Sequence, residues 1–144
     1  MTAYLVRVAA FSLFSAALLA GCGGGKDPAD VVRAWSRAVN AGDNDGAARL
    51  FAPGAHAEYG DLRFDVGTYV AAVGFNEQLP CSGTIVAIET RENVVTATFL
   101  LARRERVPPW LDCQGAGDRS TAQFVVEEGK IAVWRQLVGA QAAG

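Results

Sequence analysis

Apolar positions along the chain change period several times, and each change marks an element. Val31, Val32, Trp35 and Val39 fall on one face at helical spacing, which predicts a first helix opening at Asp27-Pro28. Aspartate suits the cap and proline the first turn. Asn40-Ala41-Gly42-Asp43 reads as a stop and a restart. A short second helix follows from about Asp45 to Phe51, with Ala47, Leu50 and Phe51 inward, and Pro53-Gly54 ends it. Ala55–Tyr59 and Leu62–Phe64 read as a strand hairpin turning at Gly60-Asp61. Asp65 then caps a third helix, from Val66 to about Gln78, with Tyr69, Val70, Val73 and Phe75 pointing in. Beyond Pro80 the period becomes two. Thr84–Arg91, Val94–Arg106, Ser120–Glu127 and Lys130–Val138 read as four antiparallel strands turning at Glu92-Asn93 and Glu128-Gly129, with a long loop from Pro108 to Gly117. The long second strand of this set implies curvature or a bulge.

The beginning of the chain follows a different pattern. Arg7 precedes an apolar run from Val8 to Leu19, about a dozen residues, the length of a signal-peptide core and short of the roughly 20 that span a bilayer. The string Leu19-Ala20-Gly21-Cys22 resembles the bacterial lipoprotein signal. That resemblance implies acylation of Cys22, cleavage just before it, and a location on the outer face of a bacterial membrane. Acyl chains hold by about 0.8 kcal/mol per buried methylene. Residues 1–21 are thus expected to be the signal, 22–26 the lipidated cysteine and glycine tether, 27–138 one domain, and 139–144 a tail.

Charge narrows the partners. A net charge of −2 and an isoelectric point near 5.3 give no electrostatic case for nucleic acid. With Cys22 assigned to lipid, Cys81 and Cys113 remain as a pair in an exported, oxidising setting, and a disulfide between them is predicted. The competing readings are two buried thiols or a metal site. The sole histidine, His56, makes a metal site weak, so neither metal nor cofactor is expected.

Val31 to Ala55, VVRAWSRAVNAGDNDGAARLFAPGA, and Phe124 to Leu137, FVVEEGKIAVWRQL, resemble the opening and closing of the nuclear transport factor 2 family, in its SnoaL-like and ketosteroid-isomerase-like branches. The resemblance covers roughly residues 27–138. It implies an α+β cone: a strongly bent, mostly antiparallel sheet wrapped around a long helix, with three N-terminal helices and an apolar pocket. Members of this family often dimerise through the outer sheet face, so a homodimer is a further possibility. The fold hosts isomerases, cyclases and pure binding modules, so fold does not choose among them.

Ketosteroid isomerases pair a general-base carboxylate with two hydrogen-bond donors. Aligned on NAGD, their three catalytic positions fall on Trp35, Tyr59 and, near the closing hairpin, Ala122. None supplies a base near neutral pH. His56 and Glu58 lie two apart on one strand and share a face. They form a dyad if that face lines the cone; alternation instead turns Ala55, Ala57 and Tyr59 inward. Asp61, Asp65, Asp43 and Asp45 read as turn and cap residues. Arg103, Arg104 and Arg106, with Glu105, read as a solvated edge or a docking patch for anionic lipid or a partner. Trp110, behind two prolines, reads as a pocket rim or as a shield for the disulfide. Trp35 and Trp134 read as core.

The favoured expectation is a lipid-anchored domain that binds a small apolar ligand or an envelope protein, with pocket residues Trp35, Tyr59, Tyr69 and Trp110. The alternative is a small SnoaL-like lyase, isomerase or hydrolase using His56 or Glu58 in the cone.

Overall fold

A computed structural model describes residues 25–139; the signal segment, Cys22 and the tail beyond 139 lie outside the described residues. The elements are α1 (Pro28–Asn40), α2 (Asn44–Ala48), β1 (Phe51–Tyr59), β2 (Leu62–Asp65), α3 (Tyr69–Glu77), β3 (Cys81–Arg91), β4 (Val94–Arg103), β5 (Arg119–Glu127) and β6 (Lys130–Leu137). The strands form one curved, unclosed sheet in the order β2-β1-β6-β5-β4-β3. All neighbours are antiparallel except β1 and β6. The expected α+β cone is the fold observed.

Helix α1 forms as its sequence dictates. Asp27 accepts from Ala29 N–H at 2.9 Å, Pro28 occupies the first turn, and the expected face, joined by Ser36, is buried. That face packs across β3 and against β4, β5 and β6. Asn40, the last residue of α1, brackets Gly83: its Nδ2 donates to Gly83 O at 2.8 Å, and its Oδ1 accepts from Gly83 N–H at 3.0 Å. The backbone of edge strand β3 is thereby paired at that point by a side chain. Register shifts in β1–β6, β3–β4 and β5–β6 bend the sheet around the helix.

Three local readings need correction. The second helix stops at Ala48, and Phe51 opens β1 rather than closing a helix. Pro53-Gly54 does not break the chain; it forms the irregularity in β1. Gly54 adopts a left-handed φ of 74°, and a Cβ on Gly67 would lie 2.4 Å from Gly54 Cα, so the two glycines permit a close backbone crossing. Asp65 ends β2 and accepts from Gly67 N–H at 2.7 Å, while Thr68 caps α3. Helix α3 therefore starts three residues late and presents a different face. Ala72 and Asn76 are buried, whereas Tyr69 and Val70 are exposed, Val70 at 79%.

The arginine run also departs from expectation. Strand β4 lies between β3 and β5, so it is no edge, and it stops at Arg103. Arg104 turns inward: Nη1 donates to Asn76 O and Leu79 O at 2.7 and 2.8 Å, and Nη2 to Asn44 Oδ1 at 2.9 Å. Arg103 pairs with Asp112 at 3.1 Å on the surface.

Cys81 and Cys113 form the expected disulfide, joining the start of β3 to the loop after β4. At a sequence separation of 32, its removal is worth about 3–4 kcal/mol in the chain-entropy model. Cys113→Ser should lower unfolding free energy by about that amount in a denaturant titration. An unchanged midpoint would contradict a cross-link that constrains the unfolded chain.

Candidate functional site

The cavity of the cone sits where β1 and β6 end and β3 and β5 begin. Its volume is about 190 Å³ and it is partly open to solvent. Trp35 and Val39 of α1 form the floor together with Phe99 of β4 and Ala122 of β5. Tyr59 and Trp134 form one wall, and Leu79, Pro80 and Cys81 border the opening. Aromatic rings hold these surfaces in place. Trp35 meets Phe99 and Phe124 edge-on at 6.3 and 5.3 Å, and Trp134 lies 5.4 Å from Tyr59 and 5.2 Å from Phe75. No Asp, Glu, Lys, Arg or His lines the cavity among the described residues.

Trp35, Tyr59 and Ala122, the three positions matched to catalytic groups by the NAGD alignment, all line this one cavity. Their chemistry differs from a proton-transfer set. The Trp35 indole N–H is spent on Asn76 Oδ1 at 3.0 Å, burial raises the Tyr59 phenol above its ordinary value, and Ala122 has no functional group.

Two buried side-chain polar atoms, Trp134 Nε1 and Gln136 Oε1, have no hydrogen-bond partner among the described residues. Both residues project from the inner face of β6, two positions apart. The other end of the Gln136 amide donates to Ser120 Oγ through a long 3.4 Å contact. The pattern that places them is legible: Trp134 and Gln136 alternate with Val133 and Arg135. What the sequence does not show is that neither finds a partner.

Two expected pocket residues lie elsewhere. Tyr69 is on the outer side of α3, where its hydroxyl donates to Asp45 and its ring lies 5.7 Å from the Arg49 guanidinium. Trp110 is 83% exposed and borders neither the cavity nor the neighbouring grooves, and at that exposure it shields little of the buried Cys113.

His56 and Glu58 do pair, but on the opposite face of β1 from the buried Ala55 and Ala57. Arg63, which can only donate, reaches His56 Nδ1 at 3.1 Å, so the ring hydrogen lies on Nε2, which donates to Glu58 Oε1 at 2.8 Å. Arg135 donates to Glu58 Oε2 and, at 3.0 Å, to Gln123 Oε1. The bonds from Arg135 and then from His56 hold the Glu58 carboxyl below its ordinary value. This is a cross-strand polar network on the outer face. The dyad therefore does not face the cone. Among the described residues no three of His, Cys, Asp and Glu assemble as metal ligands.

Comparison with known proteins supports the architecture. No family model matches the chain, and no curated protein does. Solved structures do match it. An NTF2-like protein of unknown function from Cytophaga hutchinsonii aligns at TM-score 0.61 and 11% identity, over 77% of this chain and 88% of that one. A putative polyketide cyclase from Sinorhizobium meliloti aligns at 0.58 and 19%, over 75% and 94%. A protein with a ketosteroid-isomerase-like fold from Catenulispora acidiphila, in complex with trimethylamine, aligns at 0.61 and 12%, over 77% and 86%. At these identities the likeness establishes the fold: this chain has the cone fold of NTF2-like and ketosteroid-isomerase-like proteins.

The Glu58 network has a pH signature. A carboxyl depressed in the folded state stabilises above its unfolded value and loses that contribution as pH falls through the folded one. Between about pH 5 and 3, the native protein should therefore lose stability more steeply than Glu58→Gln. Parallel profiles in acid denaturation would show that the network contributes nothing.

Proposed function

We propose that the chain is an exported lipoprotein, acylated at Cys22, whose cone binds a small, largely apolar molecule without transforming it. The observation that carries the binding reading is the cavity: aromatic and aliphatic walls, an opening to solvent, and no Asp, Glu, His, Lys or Arg lining it among the described residues. Proton abstraction or transfer in such a cavity has no carboxylate or imidazole to draw on. His56 and Glu58, the groups that could supply one, face away from it and are engaged with Arg63 and Arg135. The volume also limits the ligand. An engineered cavity of about 150 Å³ takes benzene; about 190 Å³ takes a molecule of one ring, not a fused polycycle. A neighbour of the same fold is in complex with a small molecule, trimethylamine.

The anchor reading rests on the order of charge, apolar run, small residues and cysteine at the start of the chain. It also fits the disulfide, which belongs to an oxidising compartment. A second reading, docking to an envelope protein, is favoured by the exposed Leu62, Phe64 and Val70 beside the groove between β2 and α3.

One experiment addresses both parts. The native protein should fractionate with membranes and Cys22→Ser should not; membrane retention of the variant would contradict the anchor. Native mass spectrometry of the Cys22→Ser protein should show a small neutral adduct. Adding Ala122→Leu, which fills the cavity floor, should abolish that adduct. An adduct that persists in the filled variant, or the absence of any adduct on either protein, would contradict binding in the cone.

A further inference from the structure

We propose that the Tyr59 side chain sets the size limit of the cone's ligand, as the partition between the cavity and the larger groove along α3. This names the residue that selects the ligand and rests on the binding reading above.

Two open volumes lie on either side of this residue. The cavity is about 190 Å³, and the groove between β2 and α3 is about 580 Å³. Tyr59, Leu79 and Pro80 line both, so these three residues stand between them. Elsewhere the wall is thicker. Trp134 lines the cavity, Phe75 lines the groove, and their rings meet edge-on at 5.2 Å. The partition there is two rings deep; at Tyr59 it is one.

Two of the three shared residues are pinned through the backbone. Leu79 O accepts from Arg104 at 2.8 Å, and Pro80 precedes the disulfide-bonded Cys81. Tyr59 contributes a side chain instead. It is the last residue of β1, and its backbone is placed by pairing with Leu62 and Gln136. Its ring leans on Trp134 at 5.4 Å and 33°, while the residue stays 39% exposed. The ring therefore closes the cavity by its bulk. Cutting it back to Cβ joins two apolar spaces, with Trp35 and Phe99 on one side and Leu62 and Phe64 on the other. A ligand with a second ring would then bury that ring instead of leaving it in water. Phenylalanine at this position would keep the partition, because the ring closes it and the hydroxyl does not.

The test is calorimetric titration of the Cys22→Ser protein with p-cresol and 2-naphthol, neutral probes of one and two rings. This parent should bind p-cresol at least as tightly as 2-naphthol. Adding Tyr59→Ala should shift the ratio toward 2-naphthol by about tenfold, the scale of burying two further methylene-sized groups. Tyr59→Val, which suits a strand, should shift it in the same direction and guards against a variant that does not fold. Tyr59→Phe should keep the parental ratio. In the Tyr59→Ala background, Ala122→Leu should weaken both probes, since both enter from the cavity. A parent that already prefers 2-naphthol by tenfold would overturn the proposal. So would a parental ratio in both Tyr59→Ala and Tyr59→Val, a Tyr59→Phe shift as large as that of Tyr59→Ala, or 2-naphthol binding indifferent to Ala122→Leu. If neither probe binds the parent, the binding reading itself fails and this proposal with it, an outcome distinct from binding without a size limit.

Discussion

The hydrogen bond from Trp35 to Asn76 fixes the place of the helices that border the cone. Asn76 is fully buried, which is tolerable only because each of its polar atoms is used. Its Oδ1 accepts from Trp35, its Nδ2 donates to Ala72 O, and its backbone oxygen accepts from Arg104. Arg104 then reaches Leu79 O and Asn44, joining the end of α3 and the start of α2 to the exit of β4. Leu79, Pro80 and the disulfide-bonded Cys81 follow directly in sequence, and all three border the cavity. A polar network buried among apolar side chains thus holds the opening in position. The same network consumes the indole N–H of Trp35.

The two faces of the sheet divide the chemistry. The outer face of β1, β5 and β6 carries Glu58, Gln123 and Arg135, joined across strands and to His56 and Arg63. The inner face carries Ala57, Ala122 and Trp134, which are apolar or aromatic. Titratable groups gather outside, where water and neighbouring charges stabilise them. The interior keeps hydrogen-bonding capacity without charge. That combination suits recognition of a neutral molecule and is poorly matched to proton transfer.

Much of this was legible in the sequence. The α1 face, the hairpins, the disulfide and the convergence of Trp35, Tyr59 and Ala122 follow from period, turn chemistry, cysteine arithmetic and the NAGD resemblance. The failures have physical causes. Pro53-Gly54 reads as a terminator because both residues usually break elements, yet here they form a strand irregularity against Gly67. Tyr69 and Val70 are apolar, but the cap at Thr68 sets the helical phase and turns them outward. Arg104 sits in a charged run that normally faces water; its burial depends on carbonyls from Asn76 and Leu79 that only the tertiary fold supplies. Trp110 has the right residue type for a rim, but its loop holds it away from the cavity. The unpaired state of Trp134 is a property of its surroundings and leaves no mark in its own sequence.

The most direct measurement of the central claim is a crystal structure of the domain soaked with p-cresol. Density for the ring in the cone between Trp35 and Trp134 is the predicted result. A cone closed by repacking of Tyr59 and Trp134, or density only beside His56 and Glu58 on the outer face, would contradict it.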